Sequence, residues 1–317
     1  MECTEVAERV SAGRKGFTLI ELVISLVISV VVMGASLSFA LAAFRGSEAN
    51  TLREEVYRNA RFIGMSLQRD IQTTGVGIES DLRFGTLSTF NDTLVVLHIP
   101  WTPTTAFPYV IDPPSGTDNP LDPGGTGGTC GPLCIDLNKG PGNTFDLEPG
   151  DIARLQVNTE RRVILVTDVQ STGTTVELTF AAAPTLLHYE SALSGGLRLD
   201  RFSTFVQKLQ PIVYWVENEI LYRSDQLDTN GDLIGSPLAY DVKSWDTKMI
   251  FLDLDEADEG NPYDSDVTND FDDILGTRIT ATLGTTRSDI RVAGGELYTR
   301  EYEWKFLPRN LMYERNR

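Results

Sequence analysis

Gly16-Phe17-Thr18-Leu19-Ile20-Glu21 opens an almost purely apolar run that lasts to Phe44, and Arg14 and Lys15 stand immediately before it. As helix, Phe17 to Ala43 spans ~40 Å at 1.5 Å per residue, enough to cross a hydrocarbon core of ~30 Å. The run is too long for the apolar core of an ordinary secretory signal, and the glycine junction precedes it instead of following it. The basic pair assigns the short leading segment to the cytoplasmic side, so the rest of the chain faces outward. One residue breaks the apolar pattern. A carboxylate inside a membrane span costs ~2.5–3.5 kcal/mol on insertion scales, so Glu21 calls for a partner.

Working outward, the helical spacing does not stop at Phe44. Leu52, Val56, Ile63, Leu67 and Ile71 recur at helical intervals among Arg, Glu and Gln, and no proline occurs before Pro100. Thr73-Thr74-Gly75-Val76-Gly77 is the stop signal. The pattern predicts one helix over residues 17–74, with 17–44 in the membrane and the remainder presenting one apolar face to a folded domain. Ser25, Ser29, Gly34, Ser36 and Ser38 are small, which suits close packing against other helices.

The string Gly16-Phe17-Thr18-Leu19-Ile20-Glu21, behind a basic pair, resembles the processing site of type IV prepilins and type II secretion pseudopilins. The resemblance implies that a prepilin peptidase cuts between Gly16 and Phe17, removing a leader of residues 1–16, and that Phe17 is then N-methylated. Arg14, Lys15, Gly16 and Phe17 are thus the processing residues. Glu21 is implied to pair with the terminal amine of a neighbouring subunit, which makes physical sense because two opposite charges in hydrocarbon offset each other's desolvation. The proline that major pilins carry about twenty residues into the mature helix is missing, which suits a minor pilin or pseudopilin.

Further strings extend the resemblance to the PilW group of minor pilins, with the J-type pseudopilin sharing the layout. They are Pro149-Gly150-Asp151, Tyr214-Trp215-Val216 leading to Ile220-Leu221-Tyr222-Arg223, the arginine-rich stretch with Arg58, Arg61 and Arg69-Asp70, and a last strand ending in Arg309-Asn310. The fold implied is α+β and type IV pilin-like: a long N-terminal helix packed on an antiparallel β-sheet domain with long loops.

Past the helix, residues 75–317 read as a β-rich extracytoplasmic domain. Strands are expected at Thr93–Ile99, Asp151–Val157, Arg162–Val169, Thr174–Phe180, Gln210–Val216, Ile220–Arg223, Ser244–Leu252, Arg278–Leu283 and Tyr298–Leu307, with a tight hairpin at Glu217-Asn218-Glu219. Residues 100–150 hold ten of the fifteen prolines and nine glycines, a density that predicts a long irregular excursion.

Three cysteines occur. Cys3 lies in the leader and would be lost on processing, leaving Cys130 and Cys134 as an even pair in an oxidising compartment. A local disulfide is the reading preferred over a metal site, because neither histidine is near in sequence, and over a redox pair, because the spacing is Cys-x-x-x-Cys.

Formal net charge is −18, which argues against nucleic acid as a direct partner. Two acidic features leave calcium open as the one candidate cofactor. Asp228-Thr229-Asn230-Gly231-Asp232 places oxygen ligands at alternating positions, yet Leu233 and Ala239 stand where an EF-hand needs glycine and glutamate, and Asn-Gly equally makes a turn. Residues 253–273 carry ten carboxylates, Asp253 and Asp255 among them, and no cation. Such a stretch is either a solvated loop or one ordered by calcium. Pilins and pseudopilins that bind calcium do so in similar loops.

Enzymatic chemistry finds no support. There is no Gly-x-Ser-x-Gly, no phosphate-binding glycine loop and no His-Glu-x-x-His, and the two histidines, His98 and His188, sit in no acid–base arrangement. The expectation is a minor pilin, PilW-like, in the inner membrane and then in the pilus, working with prepilin peptidase and with other minor and major pilins. A minor pseudopilin of a type II secretion system is the alternative. A membrane-tethered calcium-binding or adhesive module is the alternative of another class.

Overall fold

The computed structural model describes residues 16–100, 108–112, 120–121, 130–140, 144–184, 187, 197–199, 203–258, 269–288 and 294–314. Arg14, Lys15, His188, much of 100–150 and residues 259–268 of the acidic stretch lie outside the described residues. The chain divides into two compact units, Met1–Arg53 and Glu54–Arg317.

Helix α1, Leu19–Ile71, runs through the boundary between the units. In the first unit its apolar side chains, from Leu19 to Phe39 and Phe44, are exposed. In the second unit Val56, Ala60, Ile63, Leu67 and Ile71 are buried at three- and four-residue spacing, which is one face of a helix. Full burial of side chains such as Ile63 and Leu67 contributes about 1.5–3 kcal/mol each. The helix ends in tightened turns, Thr73 N to Asp70 O and Thr74 N to Ile71 O. Gly75 and Gly77 then take positive φ, which an L side chain resists.

Among the described residues the second unit carries sixteen strands: β1 Leu87–Phe90, β2 Thr93–His98, β3 Tyr109–Ile111, β4 Pro120–Leu121, β5 Cys134–Asn138, β6 Ile152–Val157, β7 Glu160–Thr172, β8 Thr175–Ala182, β9 Leu197–Arg198, β10 Thr204–Glu217, β11 Ile220–Leu227, β12 Leu233–Tyr240, β13 Val242–Phe251, β14 Glu256–Ala257, β15 Ile274–Ser288 and β16 Leu297–Phe306. Every pairing among them is antiparallel. The architecture is α+β, a long N-terminal apolar helix followed by an antiparallel β domain of type IV pilin-like build.

Strand β10 is the organising element. Its first half, Thr204–Leu209, pairs with β6, and its second half pairs with β2 and β11. The order β10-β3-β5-β8-β7-β6, together with the β6–β10 pairing, closes a six-stranded ring. Inside the ring Tyr109, Ile135, Leu137, Leu155, Val166, Leu178 and Phe180 form one core. A separate sheet, β14-β13-β15-β16, packs Ile279, Ala281 and Leu283 into a second core with the buried face of α1.

The ring departs from the expected irregular excursion over 100–150. Two of its strands, β3 and β5, come from that stretch, and Leu147 is buried against them. Local composition favours loop there, but β3 is held by β10 and β5 by β8, strands far along the chain. Strand β12 is also absent from the sequence reading. It contains Gly235 and Pro237 and among the described residues pairs only with β11, as suits an edge. The hairpin at Asn218 and Glu219 has φ of 51° and 62°, the signature of a type I′ turn.

Candidate functional site

The N-terminal motif begins with Gly16, Phe17 and Thr18 in non-helical backbone, and Phe17 is 85% exposed. Thr18 is the N-cap of α1. Its backbone N–H and its hydroxyl both donate to Glu21 Oε2, at 2.9 and 2.8 Å. Glu21 N–H returns a hydrogen bond to Thr18 Oγ1 at 3.4 Å. Thr-x-x-Glu is therefore a capping box, which satisfies orphan amides at the helix start. Oε2 carries both donors, so Oε1 is the oxygen left to meet a cation.

Helix α1 is long and apolar enough to cross a membrane, by length and composition. A helix exposing Leu22, Ile24, Val31 and Met33 needs lipid or other helices around it. Three hydroxyls within it are satisfied internally: Ser25 donates to Leu22 O, Ser29 to Ser25 O and Ser38 to Gly34 O. They add no unsatisfied polar group to an apolar environment.

A second cluster lies in the second unit at the end of α1. Asp70, 3% exposed, accepts from Tyr214 Oη at 2.6 Å and from Arg223 Nε at 2.6 Å on Oδ2, and from Arg69 Nε at 2.9 Å on Oδ1. Arg223 also donates to Asp225 Oδ2 at 2.9 Å. Burial pushes the Asp70 carboxyl upward, but hydrogen bonds from Arg69, Arg223 and Tyr214 outweigh it and hold the group below its ordinary value. The Tyr214 hydroxyl is pushed far up, by burial first and then by its bond to Asp70. His98 lies opposite Gln210, and its buried Nδ1 has no hydrogen-bond partner. Burial lowers its pKa, the charge of Asp70 opposes this, and Arg223 adds to it.

Part of the PilW-like strings meets at this helix end. Arg69-Asp70, Tyr214 and Arg223 form the cluster itself. Asn310 Nδ2 donates to Thr74 O at 2.9 Å, which ties the C-terminal helix α2, Arg309–Glu314, to the turn that ends α1. Asp151 pairs with Lys208 at 2.6 Å on β10. Gly150 has φ of +96°, and a Cβ there would lie 2.8 Å from Leu227 O. The sequence marked these residues but not that Asp70 is their meeting point. Its position at the buried spacing of α1, three residues beyond Leu67, was the available signal.

The structure shows the disulfide, Cys130–Cys134, with Cα atoms 5.2 Å apart. The calcium candidates sit in local turns, where Asn230 Nδ2 donates to Asp228 Oδ2 at 3.2 Å. Asp228 Oδ1 accepts from Asn230 N and Asp232 N, both at 2.8 Å, closing the β11–β12 turn on itself. These amide bonds hold the exposed Asp228 carboxyl below its ordinary range. Asp253 Oδ1 accepts from Asp255 N at 3.0 Å. Among the described residues, the acidic or thiol triplets with ligand atoms within 4.8 Å are Cys130/Cys134/Glu177 and Asp270/Asp272/Asp273. The first is spent on the disulfide. The second lies in the acidic stretch but includes neither Asp253 nor Asp255.

Against known proteins, residues 11–37 match the family model of the prokaryotic N-terminal methylation motif. No curated protein and no solved structure matches the chain. The motif supports a type IV pilin or pseudopilin, a class processed by a peptidase and partnered by other pilins.

Proposed function

We propose that this chain is a minor type IV pilin of the PilW kind, cut between Gly16 and Phe17 and built into a pilus at its tip or base. The observation that carries the reading is the capping box. The one carboxylate of the apolar helix lies within the matched methylation motif, with Oε2 held by Thr18 and Oε1 free of those bonds. The amine of a neighbouring subunit's Phe17 would dock on that oxygen. In hydrocarbon each charge then relieves the other's desolvation, so the pair sets register as well as affinity. The leader leaves with Cys3, and the Cys130–Cys134 disulfide stays in the exported domain. The work of the subunit is mechanical: α1 packs among other helices, and the β domain meets other minor pilins.

Mass spectrometry of filaments sheared from native cells, quantified against the major subunit, tests the reading. A trace of peptide beginning at N-methylated Phe17 is expected. Processed chain abundant in membranes but absent from filaments would contradict it and support the type II secretion pseudopilin.

A further inference from the structure

The two ends of the Cys130–Cys134 bridge differ. Cys130 is exposed, whereas Cys134, the first residue of β5, is 6% exposed. Strand pairing explains the difference. Cys134 lies opposite Thr179 of β8, and Phe180 N–H donates to Leu133 O beside it. A thiol opens a disulfide by attack on one of its sulfurs, and access helps to decide which one. Burial closes Cys134 to that approach and leaves Cys130 open to it.

The buried sulfur faces an acid. Cys134 Sγ lies 3.6 Å from Glu177 Oε1 on β8. Within the bridge that sulfur carries no hydrogen, so it donates nothing to the carboxylate. The strand neighbours do not neutralise Glu177 either. It stands opposite Asp136 on β5 and Gln170 on β7, and among the described residues it forms no ion pair. Residues two apart on a strand share a face, so Cys134, Asp136, Thr179 and Glu177 lie on the outside of the ring, behind Ile135, Leu137 and Leu178 of its core. A carboxylate fixed there does little to an uncharged disulfide. It opposes a negative charge on Cys134, because like charges this close repel in a partly buried site.

We infer that the bridge is a one-sided clasp: thiols form a mixed disulfide with Cys130 alone, and Glu177 holds the clasp shut by opposing the thiolate that must leave on Cys134. In the opening step the attacking thiolate bonds to Cys130 Sγ, the bridge breaks, and its electron pair departs with Cys134 Sγ. The attacker is oxidised to the mixed disulfide and Cys134 is reduced. A second thiol then attacks the first attacker's sulfur, releases the Cys130 thiolate and forms a separate disulfide. A thiol that is harder to ionise leaves more slowly, so the carboxylate acts on the opening step. The inference is independent of the minor-pilin reading.

The test uses the purified full chain in detergent, with free thiols alkylated beforehand so that Cys3 takes no part. Glutathione is added at neutral pH, the reaction is quenched early with acid, and fragment masses locate the adduct. Glutathione is expected on Cys130, with Cys134 as the free thiol. An adduct on Cys134, or on both residues in comparable amounts, overturns the inference, and this result needs no variant. Glu177→Gln is expected to open roughly fivefold faster, with anionic glutathione, neutral mercaptoethanol and cationic cysteamine alike, and still through Cys130. An acceleration confined to glutathione would mean that Glu177 repels the attacker, and an unchanged or slower rate would mean that it does not act on the bridge. Either result overturns the role given to Glu177. Adducts on Cys134 in the variant would mean that β5 has loosened, which also counts against it. Asp136→Asn removes the neighbouring acid and is expected to speed opening less than Glu177→Gln. An equal gain would assign the effect to the charge of the whole face and overturn the specific role of Glu177.

Discussion

Tyr214 donates its hydroxyl to Asp70 at 2.6 Å across 144 residues of sequence, joining the end of helix α1 to the second half of β10. Arg223 of β11 reaches the same carboxylate oxygen. One buried acid thus fixes the helix to two strands, beside the core that Ile71 and Tyr214 share.

Asp70→Asn removes the negative charge and leaves Arg69 and Arg223 facing each other without it. Breaking one partner of a buried charge cluster costs about 3–5 kcal/mol. Tyr214→Phe leaves the ion pairs intact and loses one hydrogen bond to a charged group, about 1.5–3 kcal/mol. Denaturant unfolding of the detergent-solubilised chain should rank the two in that order. Equal losses would mean that the charge is not what the site holds.

Acid should weaken the fold in two stages. His98 has its folded pKa below the ordinary 6.5. The unfolded chain therefore takes up a proton first, and stability falls as pH drops through 6.5 toward the folded value. Asp70, also depressed, contributes stability that is present above 3.8 and lost as pH falls through its folded pKa. The thermal midpoint should decline from about pH 6.5 downward. His98→Gln should flatten the first stage and leave the second. An unchanged first stage in that variant would show another group responsible.

Gly150→Ala asks an L residue to adopt φ of +96° with its Cβ 2.8 Å from Leu227 O. Both the backbone conformation and a rigid carbonyl oppose it. A loss of about 1–3 kcal/mol is expected, measured as a lowered denaturation midpoint. A neutral result would mean that β6 and the end of β11 can separate there.

The Cys130–Cys134 bridge closes a short loop, for which chain entropy gives about 2 kcal/mol. Cys134→Ser, or reduction of the wild-type chain, should lower the thermal midpoint by the same small amount. A loss several times larger would show that β5, and the ring with it, depends on the bridge.

Thr18→Val removes the hydroxyl of the capping box, worth about 0.5–2 kcal/mol at a helix start. Filament incorporation, measured against processed chain in the membrane, should fall, and Thr18→Ser should restore it. Unchanged incorporation of Thr18→Val would show that Glu21 needs no holding by its own chain.

Much of this was legible before any coordinates. Helix α1 announces itself because apolar spacing persists from Phe17 to Ile71 without a proline, and β10, β11, β13 and β16 follow from dense β-branched and aromatic residues. The six-stranded ring was not legible. Its β3 and β5 are short runs in a stretch whose Pro and Gly content reads as loop, and only pairing with β10 and β8 makes them strands. The role of Asp70 was half visible. Arg69-Asp70, Tyr214 and Arg223 stand out as strings, but nothing local shows that side chains 144 and 153 residues away close on one carboxylate. Asp228 illustrates the opposite limit. Its alternating oxygens suit a cation or a turn, and a string alone does not show that Asp228 Oδ1 accepts from the amides of Asn230 and Asp232.

The central claim is that the motif at Gly16-Phe17 is a processing site. Its most direct test is the mass of the N-terminal peptide of this chain extracted from membranes with and without an active prepilin peptidase. With the peptidase, the peptide should begin at Phe17 and carry one added methyl group. Without it, the chain should retain Arg14-Lys15-Gly16. A leader that stays attached under both conditions would contradict the account and make the helix a plain membrane anchor.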